Sequence, residues 1–299
     1  MKALLYSALS LLLLYTPASS FCQSGKPVVK FGLISDIQYC NCETRGSRFY
    51  RNSLAKLDSA VTGLNNEQVQ FTINLGDVTD RNAADNLDTV LNILKKLNNH
   101  VYNVSGNHDY SGVKDNDWLY GKLNMPGPYY SFRKNSWRFI LLNTNDVASY
   151  ANVTGTSKEP ELADMMEDIK KTQRKNGADY NGGVGKDQLN WLEKQLIDAK
   201  ANNDNVVIFS HHPFGCEEGL TALNDREVAA LVAQYACVKA FIAGHHHAGA
   251  FCYVHKIPCI VTEGMVETAS SNAWGIVEIY EDRIILTGRG RTQSHEIRF

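Results

Sequence analysis

Five short apolar runs in this chain each end in a cluster of polar side chains able to ligate metal or move protons. They are Ile34-Ser35-Asp36-Ile37-Gln38, Leu75-Gly76-Asp77, Val104-Ser105-Gly106-Asn107-His108-Asp109, Phe209-Ser210-His211-His212-Pro213 and Ala243-Gly244-His245-His246-His247. Taken singly, a Gly-Asp pair is close to noise, and a lone histidine at a strand end is more often a packed core residue. Chance does not readily give five such clusters in one chain, each behind a β-like run. The fold therefore has to be read around its strand ends.

Between these clusters the apolar spacing alternates. Residues 28–34, 69–75 and 100–104 read as buried strands. Tyr50, Leu54, Leu57, Val61 and Leu64, and then Leu87, Val90, Leu91, Leu94 and Leu97, mark one face of two amphipathic helices between them. This β-α-β-α-β order is the signature of a sheet wound with helices. Residues 129–132 and 137–142 read as an antiparallel pair. The polar stretch 146–176, with one helix around 161–175, reads as a peripheral insertion. Helical spacing returns at Leu189, Leu192, Leu196 and Ala199, and again at Val228, Leu231, Val232 and Tyr235. Strands are expected at 206–209 and 238–242, then a late run at 250–254, 257–261, 275–280 and 283–286. Early alternation followed by a run of strands predicts an α/β fold of two packed sheets with helices outside.

At 299 residues and 43% hydrophobic the chain can bury a full core. It has no long polar, Pro-rich or Gly/Ser-rich linker, so one domain over 27–299 is expected, with the insertion near 146–178. With 30 basic against 32 acidic residues, a formal charge of −2, no global field points to nucleic acid or an anionic membrane. Residues 1–20 read as a cleaved secretory signal: Lys2, an apolar stretch, then Ala18, Ser19 and Ser20. That stretch is shorter than the roughly 20 residues a bilayer span takes, so no stable membrane span is expected. Export to a periplasm or medium follows. Of seven cysteines, six remain once Cys22 is removed, an even number that permits disulfides. Cys40 and Cys42, one residue apart, are poorly placed to pair with each other. The readings for them are, in order, buried thiols, bridges to distant cysteines, or an extra metal site.

The candidate metal ligands are Asp36, Gln38, Asp77, Asn107, His211, His245 and His247. Carboxylate, amide and imidazole donors make a borderline-hard set that suits Mn²⁺, Fe or Zn²⁺. Seven ligands exceed what one such ion needs and match two divalent ions sharing a carboxylate. A metal pair is the standard clamp for displacement at phosphorus. His108, beside the ligand Asn107, is then the candidate proton donor to the leaving oxygen, with Asp109 expected to fix its tautomer. Arg45, Arg48 and Arg51 lie near the start of the first helix, where a phosphate-contacting turn competes with a solvated face. Asn181-Gly182-Gly183 lacks the spacing of a dinucleotide loop and reads as a turn, with Asn181 and Gly182 on the substrate side.

The ordered set Asp-x-Gln, Gly-Asp, Gly-Asn-His-Asp, a strand-terminal His and Gly-His-x-His resembles the calcineurin-like metallophosphoesterase superfamily. Gln38 stands where most members have His. With Asp36-Ile37-Gln38-Tyr39 it resembles the manganese-dependent ADP-ribose/CDP-alcohol diphosphatases. Tyr180-Asn181-Gly182-Gly183, Gly264-Met265-Val266-Glu267-Thr268 and Gly288-Arg289-Gly290-Arg291 extend that likeness over nearly the whole mature chain. The resemblance implies a four-layer α-β-β-α sandwich. It also implies two metal ions, with manganese first and Fe or Zn as alternatives. Asp36, Gln38 and His247 would hold one ion, Asn107, His211 and His245 the other, and Asp77 would bridge. The implied substrate is a small nucleoside diphosphate-linked molecule, ADP-ribose or a CDP-alcohol, cleaved at the phosphoanhydride by a monomeric enzyme. The competing functions are an exported phosphomonoesterase or phosphodiesterase that scavenges phosphate, and a non-catalytic metal-binding relative.

Overall fold

The computed structural model describes residues 25–299, so the expected signal sequence and Cys22 lie outside the described residues. In chain order the elements are β1 (Val29–Ile34), α1 (Ser53–Asn66), β2 (Phe71–Asn74), α2 (Ala83–Leu94), β3 (His100–Asn103) and α3 (Asn116–Lys122). Then come β4 (Tyr130–Lys134), β5 (Trp137–Leu141), α4 (Lys158–Lys171), α5 (Lys186–Ala201), β6 (Asn205–Ser210) and α6 (Asp225–Val232). The chain closes with β7 (Val238–Ala243), β8 (Ala250–Val254), β9 (Ile257–Val261), β10 (Ala273–Ile279), β11 (Arg283–Gly290) and β12 (His295–Arg298).

Two six-stranded mixed sheets result. The first runs β12-β11-β10-β1-β2-β3, and β1, β2 and β3 are parallel. The second runs β4-β5-β6-β7-β9-β8, with β5, β6, β7 and β9 parallel. Strands covered on both faces read as continuous apolar runs, which is why β1 and β6 carry almost no alternation.

The sheets meet face to face through aromatic rings. Phe31 of β1 stacks on Phe71 of β2 at 4.9 Å and meets Phe139 of β5 and Phe209 of β6 edge-on at 5.8 and 5.9 Å. The strand period of two sends alternate residues to opposite faces. Val207 and Phe209 join the inter-sheet core, whereas Val206 and Ile208 face outward onto Leu192, Leu196 and Ala199 of α5. On the other side Leu57, Val61 and Leu64 of α1 and Leu87 and Val90 of α2 cover the first sheet. The four-layer α/β sandwich is therefore observed.

Sequence and structure differ at short or weakly patterned elements. The seven-residue α3 and four-residue β12 carry too few apolar positions to show a period. The former is set by its cap, the Asp115 carboxylate accepting from the Asp117 amide at 3.0 Å. The segment expected to be wholly peripheral begins inside the core: Val147, Ala148, Ala151 and Val153 are buried, and Val147 pairs with Gly183. Cys40 and Cys42 form a disulfide with each other, contrary to expectation. Two steps along an extended strand cover about 6.6 Å, at the upper edge of the bridging range, and a bend here brings the two Cα atoms to 5.3 Å, well inside it. Cys216 pairs with Cys252, while Cys237 and Cys259 have no disulfide partner among the described residues. No helix among the described residues is long and apolar enough to cross a membrane.

Candidate metal centre

The parallel strands of both sheets end on one edge of the sandwich, and the candidate ligands sit just beyond those ends. β1, β2 and β3 of the first sheet deliver Asp36 and Gln38, Asp77, and Asn107. β6 and β7 of the second deliver His211, and His245 with His247. One sheet thus supplies the oxygen and amide donors and the other all three imidazoles.

The donors fall into two groups. His211 Nε2 lies 3.1 Å from Asn107 Oδ1, 3.2 Å from His245 Nδ1 and 3.4 Å from Asp77 Oδ2. His245 Nδ1 is also 3.1 Å from Asn107 Oδ1. In the other group His247 Nε2 lies 3.4 Å from Asp36 Oδ1 and 3.2 Å from the Gln38 amide, which is 2.9 Å from Asp77 Oδ2. Asp77 is common to both.

These atoms fit a pair of ions better than a hydrogen-bond network. His211 Nδ1 donates to the Leu75 carbonyl at 2.9 Å, so its Nε2 faces the cluster as a lone pair. His247 Nδ1 donates to Glu267 Oε1 at 2.8 Å, with the same result. For His245 the tautomer is set through Asn181. The Asn181 amide nitrogen donates to the Asn176 and Gly219 carbonyls, leaving Oδ1 to accept from His245 Nε2 at 3.1 Å. Nδ1 of His245 is then a lone pair as well. With the imidazoles neutral, the lone pairs of all three converge with the Asn107 oxygen and the two carboxylates. Donors bound to one ion at about 2.1 Å and octahedral or tetrahedral angles lie about 3.0–3.4 Å apart. Gln38 Oε1 is buried without a partner. Turned over, the amide presents that oxygen to the same cluster.

The electrostatics agree. Burial opposes charge on His211, but the Asp77 carboxylate outweighs it and lifts the imidazole to about 9. His247 reaches about 9 because hydrogen bonds to Asp36 and Glu267 overcome the same burial. Burial would raise Asp77, yet His211 and His108 hold it well below the usual carboxylate range. A field that strong favours any cation at this point. His212, also close to His211 and His245, is engaged elsewhere: Nε2 donates to the Tyr180 carbonyl at 3.0 Å and Nδ1 accepts from the Thr144 hydroxyl at 2.8 Å.

The backbone around the ligands is unusual. Asp36, Gln38, Asp77 and His245 have φ of 50°, 44°, 52° and 69°, in the left-handed region. Gly76 and Gly106 face each other, and a Cβ on Gly106 would collide with the amide and carboxylate of Asp77. That approach lets the His108 amide donate to Asp77 Oδ1 at 2.8 Å.

His108 lines the cleft over the donors. Its Nδ1 donates to the Asp80 carbonyl at 3.0 Å and lies 3.3 Å from Asp80 Oδ1. Asp109 does not orient it. The Asp109 carboxylate accepts from the Gly106 and Thr79 amides at 2.9 and 3.0 Å and so ties the Asn107 loop to the Asp77 loop. Burial, then the nearby Asp77 charge, pushes its pKa up to about 7. The physical reason is geometric: Asp109 is the middle residue of a helical turn (His108–Tyr110) that directs its carboxylate inward, while Asp80 returns beneath the imidazole.

The cleft has two adjoining lobes. One, of about 430 Å³, is lined by Gln38, Asp77, Asn107, His245, His247, Arg48, His108, Tyr180 and Leu220. The other, of about 410 Å³, shares Arg48, Asn107, His108 and Tyr180 and adds Arg45, Arg81, Asp80, Asp179, Tyr110 and Tyr150. Arg48 is where the sequence suggested. Arg51 instead turns outward to Glu43 and Asn41, at 2.7 and 2.9 Å. Asn181 and Gly182 line neither lobe: Asn181 holds His245, and Gly182 is buried against the Thr144 carbonyl. Sequence reading missed Asp80, Arg81, Glu267 and Tyr180, although the last two stand in stretches that carried the family likeness.

The calcineurin-like phosphoesterase family profile matches residues 29–249. The manganese-dependent ADP-ribose/CDP-alcohol diphosphatase of Oryza sativa subsp. japonica is 30% identical over 92% of this chain and 96% of its own length. The human protein of that name is 29% identical over 90% and 92%. A dimetal phosphatase from Danio rerio superposes with a TM-score of 0.84 at 28% identity, covering 92% of this chain and all of that one.

Two expectations follow from the geometry. His108→Ala should keep its metal content and lose on the order of 10²- to 10⁴-fold in turnover, less for good leaving groups. Asp80→Asn should show the same leaving-group dependence in weaker form; losses equal across leaving groups would remove the acid role. Metal binding should also release protons, because His211 and His247 sit at about 9 and must shed them to ligate. Apparent affinity should therefore rise with pH and level off above about 9, with calorimetry at neutral pH in two buffers of different ionisation enthalpy reporting the protons released.

Proposed function

The chain belongs to the calcineurin-like phosphoesterase family and is a metal-dependent hydrolase of phosphoric esters or anhydrides; within that class, we propose that it cleaves the phosphoanhydride of nucleoside diphosphate-linked substrates such as ADP-ribose and CDP-alcohols. The products are a nucleoside monophosphate and a phosphorylated partner. The carrying observation is the second lobe. Beyond the donor cluster, Arg45, Arg48 and Arg81 line a space contiguous with it, and His108 stands between the two. A monoester needs only the first lobe, whereas a diphosphate offers a second charged group to the arginines. The names of the relatives support this reading and favour manganese.

Two divalent ions, held by the seven donors, would neutralise the phosphate oxygens and make a water acidic enough to attack phosphorus. The chain's own residues do the rest. As the P–O–P bond breaks, the departing phosphate oxygen takes a proton from the His108 imidazolium. The Asp80 carbonyl and carboxylate beside Nδ1 hold the ring so that Nε2 faces the cleft. Arg45 and Arg48 are placed to take up the charge that grows on the departing phosphate. Tyr180, 44% exposed and lining both lobes, offers a ring face at the mouth.

We propose further that the protein is exported. The apolar leader lies outside the described residues, but two disulfides within them suit an oxidising compartment. N-terminal sequencing of protein recovered from the periplasm or medium should find a start near Phe21; full-length protein with reduced thiols in the cytosol would overturn export. A substrate panel tests the activity, comparing ADP-ribose, CDP-choline and aryl phosphates with Mn²⁺, Co²⁺, Mg²⁺ and Zn²⁺. The anhydrides should be preferred with Mn²⁺, and Arg48→Ala should raise KM for them more than for aryl phosphates. Aryl monoesters winning by orders of magnitude would instead favour a phosphate scavenger. No turnover with any metal would favour a binding protein.

A further inference from the structure

The loop 264–268 has no regular secondary structure, yet it touches one half of the donor cluster from several sides. Its Met265 and Val266 amides donate to the Ser35 and Asp36 carbonyls at 3.1 and 2.9 Å. Its Gly264 amide donates to the His247 carbonyl at 3.2 Å, and the Glu267 carboxylate accepts from His247 Nδ1. Thr268, with φ of 66°, closes it in the left-handed region. Something must hold this backbone, because a loop free to shift would take Glu267 away from the imidazole.

Two cations do so, one partly exposed and one buried. Arg291 donates to the Gly264 and His247 carbonyls at 2.9 and 3.1 Å. Lys56, from the buried face of α1, directs its ammonium at the carbonyls of Met265, Glu267 and Thr268, the latter two at 3.0 Å. All three ammonium protons are thereby engaged. Lys56 is 5% exposed, and among the described residues no carboxylate forms an ion pair with it. A buried charge held only by carbonyls is costly, and a methionine or leucine would fill the same space on the helix face. What the ammonium supplies is the direction of three carbonyls at once.

We propose that Lys56 is a positioning residue for the half of the metal pair held by Asp36, Gln38 and His247, acting through the 264–268 loop and Glu267. It lies outside the cleft and touches neither substrate nor donors. Partners of ligating histidines are worth on the order of 10- to 100-fold in metal affinity. Lys56 acts one step further out and by the same route. The inference rests on the two-ion centre and not on the substrate assignment, so it is read in metal binding rather than turnover.

The test is Mn²⁺ titration of the full mature chain followed by electron paramagnetic resonance, for the wild type, Lys56→Met, Glu267→Ala and the double variant. Lys56→Met should weaken one of two ions by about 10- to 100-fold. The ion that stays should show nitrogen couplings from two imidazoles, His211 and His245. The double variant should bind no more weakly than Glu267→Ala alone, since both changes break one chain of contacts. Equal weakening of both ions, additive losses, or unchanged binding would each overturn the proposal. If the methionine variant does not fold, Lys56→Arg replaces it. Arg keeps the cation but spreads its donors in a plane, so the same ion should weaken, by about 3- to 10-fold. Equal or absent losses there would again overturn the assignment.

Discussion

The structure depends on a convergence that the chain alone cannot favour. Lone pairs of two carboxylates, an amide and three imidazoles point at one another across 3.1 to 3.4 Å. In its neutral form each imidazole turns a lone pair to the cluster, because its other nitrogen already donates, to Leu75, Asn181 or Glu267. Four of the ligand positions also sit in left-handed backbone, a conformation that costs a non-glycine residue on the order of 1–3 kcal/mol. Such a cluster persists only where the surrounding structure leaves the backbone no alternative.

What removes the alternatives is the contact between the sheets. The oxygen donors follow strands of one sheet and the nitrogen donors follow strands of the other, so the spacing between them is the spacing of the sandwich. Phe31 and Phe209 meet across that interface, and Phe209 is two residues before His211 on β6. A small slip of one sheet over the other would open every nitrogen-to-oxygen distance at once. Conversely, ions that bind the assembled donors add to the stability of the sandwich, since the separated strands offer no such site.

This division also explains what was legible beforehand. Ligand side chains announce themselves because an unusual residue type follows a buried apolar run, and the strand ends carry Asp36, Asp77, Asn107, His211 and His245 in plain view. Their orienting partners carry no such mark. Asp80 and Asp109 are both acidic residues close behind a motif, and only the path of the chain decides that Asp80 returns under His108 while Asp109 turns inward to the Gly106 and Thr79 amides. Asn181 and Glu267 reach His245 and His247 across 64 and 20 residues. No spacing rule covers such separations. The Cys40–Cys42 bridge depends on a bend of the backbone, which composition does not reveal.

The cleft's charges follow from the same geometry. Arg48 stands between Asp80 and Glu267 at 3.9 and 3.8 Å, beside the carboxylate below His108 and the one that holds His247. At those distances, and with 36% of its side chain exposed, neither carboxylate engages the guanidinium in a direct hydrogen bond, and such pairs contribute little. The carboxylates therefore orient their histidines without neutralising the arginine that faces the lobe. Asp80 and Asp179 also line that lobe and Asp80 holds Arg81 at 3.1 Å, so the positive charge offered to a diphosphate there comes from Arg45 and Arg48.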